Sequence, residues 1–288
     1  MADEDDITTE LDEDQLPPIE KNRRISVYEA IVTDVFARHH TPGVMEFEFG
    51  RDEIASTAAR LNLKAPKNLG DVIYSFRYRR DLPKVILDTE PTGLHWLILG
   101  AGDARYRFRL SRLRHIEPTK GLLVRKIPDA TPEIISSYAL SDEQALLAKV
   151  RYNRLVDIFL GITANSLQNH LRTKIANYGQ IEIDELYVGV DSRGAQYIVP
   201  VQAKGGNDRL GAIQTIQDVT FCKLQERYRN CIPRAVSAQF MAGEAIAMFE
   251  LTFDGNEVAI LQEKHYRLVP SAQIDSGDLA RYAVTPPP

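Results

Sequence analysis

The chain has 288 residues, long enough for two domains with separate cores, and its 44% hydrophobic and 26% charged residues are ordinary for a soluble globular protein. It contains no apolar run of about 18 residues and no basic-then-apolar start, so neither a membrane span nor a secretory signal is expected. Two cysteines, Cys222 and Cys231, are too few for a disulfide framework or a zinc site, which points to a reducing cytoplasm, and the net charge of −5 is concentrated at one end. Residues 1–22 are acidic, contain Pro17-Pro18, lack periodicity and are expected to be disordered. Nine of the acids fall within residues 1–20, where there is no Lys or Arg, leaving 31 acids against 35 bases elsewhere. The remainder is therefore mildly basic (+4), which is compatible with a nucleic-acid partner. The simplest role for the tail is solubility; a nucleic-acid mimic that screens a basic surface is the sharper alternative.

In residues 25–39, Val27, Ile31, Val35 and Phe36 follow helical spacing, and Thr41-Pro42-Gly43 ends the helix. A strand follows at 44–49, an Ala-rich helix at 52–61, and a further helix at 67–79 with Leu69, Val72, Ile73 and Phe76 inward. Residues 94–99 and the alternating Tyr106-Arg107-Phe108-Arg109-Leu110 flank Gly100-Ala101-Gly102-Asp103 and read as a hairpin. Helix, strand, helix, helix, hairpin is the order of a winged helix, and residues 23–117 resemble one. The resemblance implies that the third helix enters the major groove of DNA. Lys67 and Asn68 would then reach base edges, Arg77 and Arg79 would lie near its end, and Arg105, Arg107 and Arg109 on the wing would meet phosphates. The plainer alternative is a small α+β unit for protein contacts whose arginines are the wet face of a strand. His95 and His115 have no ligand-like spacing.

Residues 118–140, with Ile127-Pro128-Asp129-Ala130-Thr131-Pro132, have linker character. Ser141-Asp142-Glu143-Gln144 has capping character and opens a helix to about residue 162, with Leu155, Ile158, Phe159 and Ile162 as its buried stripe. Residues 165–176 continue in helical character, and Gln168, Asn169, His170 and Arg172 read as its wet face.

Two runs rich in Val, Ile and Tyr, residues 179–190 and 197–204, flank Asp191-Ser192-Arg193-Gly194 and predict a β-hairpin. Counting back from the turn sets Asp184 opposite residue 201 or 202. The register with Gln202 gathers Glu182, Asp184, Gln202 and Lys204 on one face, whereas a slip of one residue separates them. Carboxylates with an amide oxygen suit a hard divalent ion such as magnesium, with manganese as a substitute, and a neighbouring Lys can steady an attacking water. This is the chemistry of phosphodiester hydrolysis. An acidic residue on one strand and Gln202-Ala203-Lys204 ending the next resemble the PD-(D/E)xK superfamily of restriction-endonuclease-like nucleases, in a Gln-x-Lys variant. The resemblance implies Asp184 as first metal ligand, Gln202 as second through its carbonyl oxygen, Glu182 as a third, and Lys204 as the residue positioning water. An amide binds metal more weakly than the family's usual second carboxylate, which Glu182 or Glu185 would offset. The plainer alternative is a surface hairpin with a solvated charged face.

Beyond Gly205-Gly206, Ile213, Ile216, Thr220 and Leu224 recur at helical spacing in residues 210–228, followed by the strand-like Ala235-Val236-Ser237-Ala238. Hairpin, helix, strand is the order of the superfamily core, and Gln214 and Gln217 lie on the helix soon after the Lys, where several branches carry a glutamine; Gln217 is carried over on that ground. Residues 247–253 and 258–261 read as another hairpin; Glu263-Lys264-His265-Tyr266-Arg267 is a charged strand exit, and residues 273–288 a loose tail. The expectation is an α/β protein: a winged-helix-like unit, then a mixed sheet flanked by helices over residues 141–272. It would be a magnesium-dependent DNA endonuclease, of restriction or phage-defence type, acting on duplex DNA as a homodimer. The alternatives are a repair or junction-resolving nuclease, and a DNA-binding regulator with an inactive site.

Overall fold

A computed structural model describes residues 26–138, 143–175, 178–205 and 208–284. The acidic tail, Ser141 and Asp142 of the predicted cap, and the final prolines lie outside the described residues.

Helix α1 (Val27–His39) opens on a capping box: Ser26 Oγ accepts from the Glu29 N–H, and the Glu29 carboxylate accepts from the Ser26 N–H. Strand β1 (Glu46–Gly50), helices α2 (Arg51–Arg60), α3 (Leu69–Tyr78) and α4 (Lys84–Leu87), then strands β2 (His95–Gly100) and β3 (Arg105–Ser111) complete the N-terminal unit. The element order expected from the sequence is present, with the short α4 added. β3 lies between β1 and β2 in an antiparallel sheet. Its alternation turns Tyr106, Phe108 and Leu110 onto a core with Ile31, Phe36 and Trp96.

The remainder is a mixed sheet with helices on both faces. In chain order it comprises β4 (His115–Ile116), β5 (Val124–Pro128), α5 (Glu133–Tyr138), α6 (Glu143–Tyr152), α7 (Leu155–Leu160), β6 (Thr163–Ile175), β7 (Gly179–Val190) and β8 (Gln196–Lys204). Then come β9 (Leu210–Gly211), α8 (Ala212–Leu224), β10 (Ile232–Pro233), β11 (Ala235–Phe240), β12 (Ala245–Phe253), β13 (Val258–Val269) and α9 (Ser276–Val284). The strand order is β5-β13-β12-β11-β8-β7-β6, with β10 beside β8. β6, β7 and β8 run antiparallel; α8 then carries the chain back so that β11 lies parallel to β8. α6 and α7 cover one face through Leu146, Val150 and Phe159, and α8 covers the other through Ile213, Ile216 and Phe221. No described helix is long and apolar enough to cross a membrane.

Four sequence expectations need correction. Residues 163–175 are strand β6, not helix, paired with β7 from Thr163↔Val190 to Ile175↔Gly179. Leu167, Leu171 and Ile175 are four residues apart, a spacing that fits a helical face and strand alternation equally. The helix expected up to about residue 162 breaks at Arg154, whose φ is 50°, so that α7 starts on a new axis and Ile158, expected inward, is 45% exposed. The linker stretch supplies an edge strand, because β5 pairs with β13 from Val124↔His265 to Pro128↔Val269. The tail also carries structure: α9 is held by the Lys126–Asp278 ion pair at 2.8 Å and by Tyr282 Oη, which accepts from the Lys126 N–H.

The N-terminal unit is packed onto α8. β4 pairs with β9, Leu97 and Leu99 of β2 join Ile213, Ile216 and Val219, and Ser111 Oγ donates to Glu257. The Tyr78 hydroxyl at the end of α3 donates to Gln217 Oε1 at 2.9 Å.

Candidate active site

The β7–β8 ladder runs from Val190↔Gln196 to Glu185↔Val201, so one further step sets Asp184 across from Gln202. Backbone pairing stops there, and Asp184 Oδ2 instead accepts the Ala203 N–H at 2.8 Å. On the other side, His170 would face Asp184 between the Asn169↔Glu185 and Leu171↔Ile183 pairs, but its backbone is left-handed (φ 46°) and the ladder is interrupted. Alternation also slips, since Ile183 and Leu186 both pack on the α8 side although they are three residues apart. Asp184 therefore sits where regular sheet structure lapses on both flanks, a frequent setting for functional groups.

The single face expected for the four residues does not hold for all of them. Lys204 Nζ donates to Glu143 Oε1 at 2.6 Å, at the start of α6, and lies within the field of Asp184. Gln202 is 2% exposed and turned toward α8: its Nε2 donates to the Glu182 carbonyl and to Asp218 Oδ2, both at 2.9 Å, and its Oε1 accepts from Gln214. The amide oxygen expected to meet a metal is thus engaged within the protein. Glu182 has its carboxylate at the surface, 2.9 Å from Arg172. The outcome is a trio, Asp184, Lys204 and Glu143, with the buried Gln202 and Asp218 and the partly buried Gln214 as a strut beneath it.

Burial, reinforced by Glu143 and Glu182, raises the Asp184 pKa above the usual carboxylate value against the opposing pull of the Ala203 N–H and Lys204. Burial alone would lower the Lys204 pKa, but the hydrogen bond to Glu143 and the charges of Glu143 and Asp184 reverse it, so Lys204 is a firm ammonium. It can stabilise negative charge and orient water but cannot act as a base at neutral pH. Burial raises the Asp218 pKa well above the usual carboxylate range, against the opposing hydrogen bond from Gln202. Helix α6 is fixed against β7 by Arg151, which donates to the fully buried Glu185 at 2.7 Å, and this bond sets where Glu143 stands.

Among the described residues, no group of three or more His, Cys, Asp or Glu side chains is gathered around one point. A magnesium ion does not require one, because it takes one or two carboxylates and leaves its other positions to water and phosphate oxygens. Asp184 fits that need: it is an oxygen donor whose charge is opposed by Glu143 and Glu182, and its Oδ1 has no hydrogen-bond partner among the described residues. Asp184 and Glu143 are the residues that would hold such an ion, with Glu182 at the rim.

The expected DNA-contacting residues separate into groups. Lys67 and Arg79 are exposed, and Arg79 lies over the Tyr74 ring. Asn68 caps α3, its Oδ1 accepting the Gly70 N–H at 3.0 Å. Arg105 and Arg107 are paired with Glu48, and Arg107 also with Glu46, across the β1–β3 ladder. Arg109 lies over the Phe253 ring, and its Nε and Nη2 are buried without a partner among the described residues, as are those of Arg77. The wing arginines are therefore engaged by acids or turned toward the sheet. Glu143, Asp218 and Glu48 carry site contacts that the sequence motifs do not include. The Glu46-Phe47-Glu48 alternation opposite Arg107 and Arg109 was a readable signal for the last of these; nothing local marks Asp218 as a partner of Gln202. No family model, no curated protein and no solved structure matches the chain.

Proposed function

We propose that the protein is a metal-dependent DNA endonuclease that hydrolyses phosphodiester bonds, of the restriction or phage-defence kind. The observation that carries this reading is the convergence of Asp184, Glu143 and Lys204 where the β7–β8 ladder stops, at the end of β8. The hairpin, the crossover through α8 and the parallel return in β11 support a restriction-endonuclease-like assignment, and the element order of the N-terminal unit supports a winged-helix-like one. Asp184 and Glu143 would hold magnesium or manganese, which supplies Lewis-acid polarisation of the phosphodiester and a more acidic water. Lys204, kept protonated by its carboxylate neighbours, orients the nucleophilic water and counters the charge that grows on the phosphorane oxygens. Gln202 acts behind them, tying β8 to α8 so that Lys204 leaves the strand in a fixed direction. Cutting both strands of a duplex calls for two such sites, hence a homodimer.

The test is incubation of full-length protein with supercoiled plasmid and with phage DNA, with magnesium, with manganese and with chelator. Metal-dependent conversion to nicked or linear forms is expected. DNA left intact in every lane would remove autonomous cleavage from the account. A second reading, a DNA-binding regulator with an inactive site, draws on the engaged amide of Gln202. It predicts DNA binding that is indifferent to divalent metal.

A further inference from the structure

Helix α3 carries an aromatic and cationic ladder that neither its packing nor the trio accounts for. Tyr74 is 46% exposed; its ring centroid is 4.9 Å from that of Tyr78, and the Arg79 guanidinium lies 4.9 Å from the Tyr74 centroid. Residues four apart share one helix face, and the two rings are neighbours there, tilted 54° to each other, with Tyr74 the more exposed. The Tyr78 end of this surface is anchored. Its hydroxyl bonds to Gln217, the next residue, Asp218, receives Gln202, and Gln202 donates to the backbone of Glu182, two residues from Asp184. The Tyr74 end lies within electrostatic reach of Arg172, which pairs with Glu182 at 2.9 Å. The Tyr78 end of the ladder is therefore tied, through α8 and Gln202, to the strand that carries Asp184.

An exposed ring with a guanidinium over one face offers little to paired DNA, whose base faces are covered by their neighbours. It suits a base that has lost its stacking partner, for which aromatic faces and Arg together provide a sequence-tolerant seat. Phosphate contacts alone would ask for cations without the ring.

We infer that Tyr74, with Arg79 above it, is a stacking platform for an unpaired nucleobase of the strand whose phosphate reaches Asp184 and Lys204. This rests on the nuclease reading and specifies its substrate: single-stranded DNA, or duplex opened locally at the scissile step. Tyr78 is then the positioning residue that fixes the platform relative to the trio.

The test uses full-length protein carrying Asp184→Asn, so that DNA is held without being cut, and a single-stranded oligonucleotide containing 2-aminopurine, whose fluorescence is quenched by stacking. Quenching on binding is expected. Adding Tyr74→Leu should abolish the quench and raise Kd about 5- to 150-fold, the range for one base–aromatic stack. Tyr74→Phe, which keeps the ring, should restore both. Equal melting temperatures would show that the fold is intact. Undiminished quench and affinity in Tyr74→Leu, or a Tyr74→Phe variant as weak as Tyr74→Leu, would overturn the inference. Cleavage by the Asp184-containing protein separates the two ideas. If it cuts DNA and Tyr74→Leu cuts single-stranded and duplex DNA at parental rates, the platform falls alone; if it neither cuts nor binds DNA, the nuclease reading falls with it.

Discussion

Asp184→Asn should make the protein more stable at neutral pH while abolishing its chemistry. The raised pKa of Asp184 means that the native state keeps this proton where the unfolded chain, with a pKa of about 4, has lost it. Stability contributed by the protonated form is therefore lost as pH rises from about 4 through the folded pKa. In Asp184→Asn the side-chain oxygen still accepts the Ala203 N–H, the repulsion from Glu143 and Glu182 disappears, and the attraction to Lys204 is forfeited while Glu143 remains 2.6 Å from that ammonium. Two repulsions and a desolvation cost against one shared attraction leave a net gain of about 1 kcal/mol, the scale of a single stabilising substitution. That corresponds to a rise in Tm of about 2–4 °C for a chain of this size. Magnesium at ten times its Kd should stabilise the parent by about 1.4 kcal/mol and leave the variant nearly unmoved. Thermal denaturation from pH 5 to 8, with and without magnesium, reads all three effects. A variant less stable than the parent at neutral pH, or an equal response of both to magnesium, would refute the reasoning.

The buried Glu250 pairs with the partly buried Arg234, and Gln262 also donates to Glu250. Burial tends to raise the Glu250 pKa, but these bonds outweigh it and hold it below its usual value. The stability contributed by its charge is accordingly present above the unfolded pKa and lost as pH falls through the folded one. Glu250→Ala, which strands the guanidinium, should cost about 3–5 kcal/mol in urea unfolding at pH 7. Asp218→Asn, which keeps an oxygen for Gln202 Nε2 and removes a carboxyl that burial disfavours in its charged form, should be close to neutral, whereas Asp218→Ala leaves Gln202 Nε2 short of a buried acceptor and should cost about 1–3 kcal/mol. Glu143→Gln should leave the fold intact but lower the Lys204 pKa, moving the alkaline limb of the cleavage pH profile to lower pH.

The sequence carried the parts of this account that depend on local pattern. Val27, Ile31, Val35 and Phe36 marked α1, the alternating Tyr106 to Leu110 marked β3, and the β7–β8 turn placed Asp184 near Gln202, because spacing and turn length act within a few residues. It did not carry what distant segments decide. β5 reads as linker because a short strand ending in Pro128 becomes recognisable only when β13 pairs with it. Lys204 meets Glu143, 61 residues away, and nothing near either residue in sequence announces the bond. The wing arginines looked available because the glutamates that engage them lie on another strand.

The most direct test of the central claim is cleavage of plasmid DNA in water enriched in oxygen-18, with magnesium, by the parent and by Asp184→Asn, Glu143→Gln and Lys204→Gln purified in parallel. The account predicts one labelled oxygen on each product phosphate from the parent and a fall in rate of at least about 100-fold for Asp184→Asn and Lys204→Gln, the scale of losing an electrostatic catalytic group. Label incorporated at the same rate by the parent and by folded Asp184→Asn would place the chemistry elsewhere and contradict it.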